Sequence, residues 1–202
     1  MSEILVIESA SKHPSIGIFK NSELIISDSG KEGNHSVFFF EFLRKIDLNK
    51  IHKIIITIGP GRFTSLRVGL SLALGLAIPR DIKIIPLNTF EIIEDRVTKK
   101  YKDFGIFLKK GGEGFLFKRK GDRDIKIVKE LPKDLSLFTF EPYNFKFDYN
   151  LILLDPFMIF EYYLEKREFL IETTDYEKIK PLYFFLPYEK SLIEKGKIKG
   201  YT

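Results

Sequence analysis

The residues with the clearest potential for chemistry lie at a glycine corner, IGPGRFTSLRVG, residues 58–69. The corner follows a run of isoleucines and precedes a long apolar segment, a common position for a phosphate-binding loop. A Walker-type loop requires G-x-x-x-x-G-K-[ST], so that a lysine reaches the phosphates. Here Gly59 and Gly61 flank Pro60, no lysine follows, and Arg62 occupies the corner. The pattern favours a rigid strand-to-helix turn, with anion binding at the following helix as the alternative.

Other residue types suited to catalysis are scarce. The chain has no cysteine, which excludes disulfides, thiolate catalysis and sulfur-ligated metals. His13, His35 and His52 are scattered and lack the helical spacing that lets two imidazoles bind one ion. No Ser-His-Asp set can be singled out. We therefore expect no catalytic residues, no metal and no bound cofactor.

Length and composition indicate a folded, mildly basic protein. The 202 residues carry a formal charge of +5 and are 44% hydrophobic, enough for one ordinary domain or two small lobes. Glycine, proline or charge interrupts every apolar stretch before the roughly 18 residues needed to cross a bilayer. The N-terminus, MSEILVIES, carries acids where a signal peptide carries lysine or arginine. We expect a cytoplasmic protein without membrane contact.

The first hundred residues predict the order β-β-β-α-β-α-β-α. Short links between the first three strands permit only antiparallel neighbours, and the later strands follow helical crossovers. The result is an α/β fold, with a mixed sheet covered by helices. Strands are predicted at 4–9, 15–20, 23–28, 53–58 and 82–87, and helices at 34–46, 64–79 and 89–101, with Thr64 as an N-cap.

From about residue 104 the pattern changes to strands. They are predicted at 105–110, 114–120, 125–131 and 151–154, with an irregular segment at 138–150 and a helix at 156–168. We find no repeat of the first half's layout. The predicted organisation is an N-terminal lobe, residues 1–102, that carries the partner-binding helices, and a smaller degenerate lobe, residues 103–202.

Two predicted helices are more apolar than a helix on one side of a sheet requires. Between Leu66 and Ile78 the polar groups are Arg67 and Ser71, and the earlier helix contains Phe40 among its phenylalanines. Large exposed apolar patches usually mark an interface, although the second lobe could cover both helices instead. The expected partner anchors are Phe38, Phe39, Phe42, Leu66, Leu70 and Leu74, with Arg67 and Ser71 as polar contacts.

Small residues mark one side of the second of these helices. Ser65, Gly69, Ala73 and Ala77 recur at intervals of four, so they share one helix face. We expect this stripe to be the closest-packed side of the helix.

The segment GPGRFTSLRVGLSLALGLA resembles the G-P-G-S-F-T-G-x-R-x-G motif and following helix of the TsaB family, also called YeaZ. The matching turn positions are Gly59, Pro60, Gly61, Thr64 and Gly69. ILVIESAS is similar to the family's I-L-x-I-D-T-S opening, NHS to the start of its first helix, and KPLYFF to its P-x-Y-x-R closure. The resemblance covers most of the first 100 residues.

The resemblance implies a reduced two-lobe fold of the actin, hexokinase and Hsp70 class, which is RNase H-like. It also implies a non-catalytic scaffold that acts with the catalytic paralogue TsaD and the ATPase TsaE. Their product is threonylcarbamoyladenosine next to the tRNA anticodon, and tRNA would be bound through the complex. The first two helices of such a scaffold pack against TsaD or form a homodimer.

The sequence departs from the family motifs at Glu8 (Asp in the family), Arg62 (Ser), Ser65 (Gly) and Phe185 (Arg). These changes weaken any nucleotide contact at those positions and leave a packing role intact.

The sequence leaves two alternative functions open. An active ATPase of this fold needs two glycine-bearing phosphate loops, which neither residues 8–17 nor the segment around Asp155 provides. A stand-alone RNA-binding protein could use the basic segment 109–123, with Phe115 and Phe117 as stacking groups.

Overall fold

The computed structural model describes residues 3–109 and 114–182, and this part contains ten strands in two sheets and four α-helices. The first sheet contains β1 (Glu3–Glu8), β2 (Ser15–Lys20), β3 (Glu23–Ser29), β4 (Ile51–Gly59) and β5 (Lys83–Asn88). The second contains β6 (Phe104–Lys109), β7 (Phe115–Arg119), β8 (Lys126–Val128), β9 (Ser136–Thr139) and β10 (Asn150–Leu151). The helices are α1 (His35–Leu43), α2 (Phe63–Ala77), α3 (Thr89–Thr98) and α4 (Pro156–Lys166). The predicted α/β class, with mixed sheets and flanking helices, is confirmed.

The two sheets have the same strand layout. The first has the order β3-β2-β1-β4-β5 and the second has the order β8-β7-β6-β9-β10. In each sheet the first three strands along the chain pair antiparallel, and the last two join in parallel. The prediction that the second half does not repeat the first was therefore wrong.

The repeat is hidden because the second half lacks two helices. The connections after β8, residues 129–135, and after β9, residues 140–149, contain no helix. Aromatic side chains pack there instead, against Phe107 of the second sheet, and Phe145 stacks on Phe147 with ring centroids 4.7 Å apart. We define this aromatic face as Phe107, Phe115, Tyr143, Phe145, Phe147 and Tyr149.

Helices α3 and α4 pack in a core shared by both sheets. Phe19 of β2 stacks on Phe160 of α4 with ring centroids 4.0 Å apart. Although it comes from the second half of the chain, α4 contacts β1 and β2, and Thr173 pairs with Ile84 of β5. The predicted boundary at residue 102 thus separates the sheets, whereas the chain after β10 returns to the first one.

Helices α1 and α2 cover the other face of the first sheet, over a core that includes Phe39, Phe42, Leu70 and Ala73. No helix in the described part of the chain is long and apolar enough to cross a membrane.

Truncating the stacked ring of α4 tests this arrangement. Phe160→Ala removes a buried aromatic side chain from the shared core, so we expect a loss of about 3–5 kcal/mol in the free energy of unfolding. Phe169→Ala is the control, because Phe169 is 81% exposed, and its free energy should change little. Urea unfolding measures both, and equal losses would contradict the packing described here.

Candidate functional site

The glycine corner packs directly on the loop that joins β1 to β2, residues 9–14. A Cβ on Gly61 would lie 2.6 Å from the carbonyl oxygen of Ala10, and Gly59 has a φ of 110°. The backbone N–H of Arg62 donates a hydrogen bond to the same Ala10 oxygen, at 2.8 Å. Glycine at these positions therefore permits a close approach that a side chain would block.

Helix α2 continues this close packing. The stripe of Ser65, Gly69, Ala73 and Ala77 is buried, which confirms that it is the closest-packed side of the helix. A Cβ on Gly69 would lie 2.5 Å from the Cβ of Ser9. The helix begins at Phe63 with Arg62 at the N-cap position, so Thr64 is not the N-cap as predicted and lies exposed in the first turn.

Glu8, at the end of β1, lies wholly inside the protein. Its Oε1 atom accepts hydrogen bonds from the backbone N–H groups of Ala10, at 2.6 Å, and Ser11, at 2.9 Å. Burial raises the pKa of Glu8 to about 7, although hydrogen bonds from Ser11 and Ala10 lower it. The loop amides that could face an anion are thus occupied by the chain's own carboxyl group.

Helix α1 is attached to the same loop. The Nε2 atom of His35, a buried residue at the start of α1, is 3.1 Å from the carbonyl oxygen of Ser11. Just before α1, Glu32 accepts hydrogen bonds from Arg62, at 2.7 Å, and from Lys12, at 3.3 Å. The N-terminal ends of α1 and α2 are therefore both fixed to the β1–β2 loop.

An open groove of about 560 Å³ runs between the outer sides of α1 and α2. It is lined by Ser36, Phe39, Phe40, Thr64, Arg67, Val68, Ser71 and Leu72. Phe40 is 63% exposed, and Arg67 lies 5.3 Å from the ring of Phe63. Among the described residues that line the groove, Arg67 carries the only charge. We call this surface the α1–α2 groove.

Comparisons with known proteins find similar sequences and a similar structure. Residues 40–130 match the family model for TsaD, tRNA N6-adenosine threonylcarbamoyltransferase. A tRNA threonylcarbamoyladenosine biosynthesis protein TsaB from Buchnera aphidicola subsp. Acyrthosiphon pisum is 33% identical over 112 residues, which is 52% of this chain and 50% of that protein. YeaZ from Pseudomonas aeruginosa matches 91% of this chain and 100% of its own, with a TM-score of 0.63 at 14% identity. The chain is thus similar to TsaB (YeaZ) proteins in part of its sequence and in its fold.

A second TsaB, from Buchnera aphidicola subsp. Schizaphis graminum, is 23% identical over 105 residues, or 49% of this chain and 50% of that protein. The chain thus spans about half the length of the curated relatives that it matches. The structural match to YeaZ covers nearly the whole chain and shows a shared fold, in agreement with the two-lobe TsaB fold predicted from the sequence.

Four of the predicted partner anchors do not lie on the surface. Phe39, Phe42, Leu66 and Leu70 are buried in the chain's own cores because they face the first sheet. Phe39 still contributes to the floor of the α1–α2 groove. These side chains support the two helices from beneath and are not surface anchors.

The other predicted contacts have different positions. Phe38 and Leu74 are half-buried at the edge of the α1–α2 core, whereas Arg67 and Ser71 are exposed in the groove. Phe185, the departure in the closing motif, lies outside the described residues.

The sequence prediction missed Phe40, Val68 and Leu72 as groove residues. The helical spacing of i, i+3 and i+4 would have predicted them from the sequence. Phe39 and Phe42 define the inner side of α1, and the small stripe defines that of α2, which leaves these three residues on the outer sides.

Two glycines of α2 provide a matched test of its packing. Gly69→Ala places a methyl group against Ser9 and should lower the free energy of unfolding by about 1–3 kcal/mol. Gly75→Ala meets open space on the same helix and should raise it by up to about 1 kcal/mol, because alanine is the better helix former. Urea unfolding measures both. Gains at both positions would mean that α2 does not approach the β1–β2 loop this closely.

Proposed function

We propose that the chain is a non-catalytic accessory subunit in the formation of threonylcarbamoyladenosine in tRNA, and that it binds a TsaD-like paralogue through the α1–α2 groove. The observation that carries the proposal is the groove itself. It is open and largely apolar, and it exposes Phe40 between two helices. Exposed apolar surfaces of this kind usually mark protein interfaces.

The shape and chemistry of the groove favour a helical partner. An amphipathic helix laid between α1 and α2 would bury Phe40, Val68 and Leu72 against its apolar side chains. Arg67 supplies a single positive charge, so an acidic residue on the partner would complete the contact. The groove of a second copy of this chain has no acidic residue among its described lining to pair with Arg67, which favours the paralogue over a homodimer.

The arrangement of Glu8 supports a role without ATP chemistry. A phosphate bound at the β1–β2 loop would have to displace the Glu8 carboxyl group from the N–H groups of Ala10 and Ser11. Asp155, the other candidate acid, accepts a hydrogen bond from the N–H of Met158 at 2.8 Å and caps α4. Each acid thus has a structural partner within the chain.

The packing of the second sheet speaks against the stand-alone RNA-binding alternative. Phe117 is 7% exposed, and Phe115 packs on Phe145 with ring centroids 5.7 Å apart, so neither ring is free to stack on a base. Residues 110–113 of the basic segment lie outside the described residues. In this proposal tRNA is contacted through the assembled complex, in which a TsaE-like ATPase also takes part.

The test is association with the TsaD-like paralogue of the same organism, measured by light scattering on mixed proteins. Phe40→Asp and Leu72→Asp place a charge in the groove and should weaken binding at least tenfold, a change of about 1.4 kcal/mol. Phe157→Asp is the matched control, since Phe157 is 51% exposed on α4. Circular dichroism checks that each variant is folded.

Undiminished binding by folded Phe40→Asp would refute the groove assignment, as would an equal loss in the Phe157→Asp control. Self-association of each variant, measured without the paralogue, separates a homodimer through the same groove from the proposed heterodimer.

A further inference from the structure

The contacts of Ser11 determine where a proton lies beside Glu8. The Oγ atom of Ser11 is 2.8 Å from Oε2 of Glu8 and also 2.8 Å from the carbonyl oxygen of His13. A serine hydroxyl carries one hydrogen, and a carbonyl oxygen can only accept. If Ser11 donates to His13, the hydrogen in its contact with Glu8 must come from Glu8.

The other oxygen of Glu8 fits the same assignment. Oε1 accepts two backbone N–H groups and behaves as the carbonyl oxygen of a carboxylic acid, which leaves Oε2 as the hydroxyl. Glu8 has no exposed surface, so a negative charge there would be unfavourable.

Glu141 adds a second reason for Glu8 to be neutral. It follows β9 of the second sheet, is 7% exposed and acts on Glu8 as a nearby like charge. Its Oε1 atom has no hydrogen-bond partner among the described residues. A proton on Glu8 therefore relieves the repulsion between the two carboxyl groups.

We propose that Glu8 is a proton-operated switch for the α1–α2 groove. In its neutral form the carboxyl group donates to Ser11 and Ser11 donates to His13, so that both polar contacts of the Ser11 hydroxyl are hydrogen bonds. That loop holds both groove helices, through the Ala10 oxygen for α2 and the Ser11 oxygen for α1. Loss of the proton leaves Ser11 with two acceptors and one hydrogen, so the loop and the N-terminal ends of both helices loosen.

The switch operates near neutral pH. Burial raises the pKa of Glu8 to about 7. The Ser11 hydroxyl would lower that pKa only if its hydrogen pointed to Glu8 instead of His13. The titratable and charged groups around the loop are Lys12, His13, Glu32, His35, Arg62 and Glu141.

Two of these groups, His35 and Glu141, also have shifted pKa values. Burial lowers the pKa of His35 from its ordinary value. Burial raises the pKa of Glu141, against the charges of Arg62 and Lys12, which lower it. A titration followed at Glu8 itself distinguishes the three groups.

The primary experiment is a ¹³C NMR titration of the Glu8 carboxyl in the isolated chain between pH 4 and 8.5, with amide exchange of α1 and α2 at each pH. We expect a midpoint near 7 and, corrected for the intrinsic effect of pH, several-fold faster exchange in the first turns of both helices above it. A midpoint near the ordinary glutamate value of about 4.3 would overturn the proposal.

Ser11→Ala tests the position of the proton. If Glu8 donates to Ser11, the variant removes an acceptor from the neutral acid and the midpoint of Glu8 falls. A midpoint that rises would show that Ser11 donates to the carboxylate, which contradicts the proposal. This variant also keeps the test independent of whether Glu8→Gln folds.

Glu8→Gln removes the titration while leaving a neutral side chain of similar shape. Between about pH 4.3 and 7 the folded chain holds a proton on Glu8 that the unfolded chain has lost, so resistance to urea should fall as pH rises and level off above 7. In Glu8→Gln this fall should be smaller, because Glu141 keeps its own raised pKa, whereas the exposed control Glu130→Gln should retain the full fall. An unchanged fall in Glu8→Gln would assign the pH effect to another group.

The last experiment rests on the proposed function, because it measures binding to the TsaD-like paralogue. The dissociation constant for the TsaD-like paralogue should rise several-fold from pH 6 to 8, and this rise should be lost in Glu8→Gln. Failure to bind at any pH would refute the partner and leave the Glu8 titration standing. A pH-independent affinity in a chain whose Glu8 titrates would overturn the link to the groove.

Discussion

The arrangement of helices α1 and α2 depends on one buried carboxyl group. Glu8 holds the N–H groups of Ala10 and Ser11, and the carbonyl groups of the same two residues hold α2 and α1. The six-residue loop between β1 and β2 is thus hydrogen-bonded to Glu8 through its N–H groups and to the two helices through its carbonyl groups. Because buried backbone groups must find partners, a loop without Glu8 would have to be rebuilt, and both helices would move with it.

The two sheets share a strand layout and differ in what covers their outer faces. On the first sheet, α1 and α2 form a helical surface whose outer sides remain open. On the second, the aromatic face closes on itself through ring contacts and through Tyr149, whose hydroxyl donates to the carbonyl oxygen of Tyr143. The repeated strand layout therefore carries one open helical face and one face that is filled by the chain's own aromatic side chains.

The first half was predictable from the sequence because its strands and helices carry strong hydrophobic periodicity between clear turn residues. The second half was less so. β9 is four residues long and lies in a segment dominated by aromatic residues, so neither length nor alternation identifies it. Phe39 is buried whereas its neighbour Phe40 is exposed. Residue type does not separate them; only the side of α1 on which Phe39 and Phe42 lie does. The residues next to Glu8 in the sequence do not predict its hydrogen bonds, because the contacts of Ser11 with Glu8 and His13 are visible only in the structure.

The most direct test of the proposed interface is hydrogen–deuterium exchange of the chain alone and mixed with the TsaD-like paralogue, at pH 6. We expect new protection in α1, residues 35–43, and in α2, residues 63–77, with little change in residues 140–149 of the aromatic face. Protection confined to residues 140–149, with both helices exchanging as in the free chain, would contradict it.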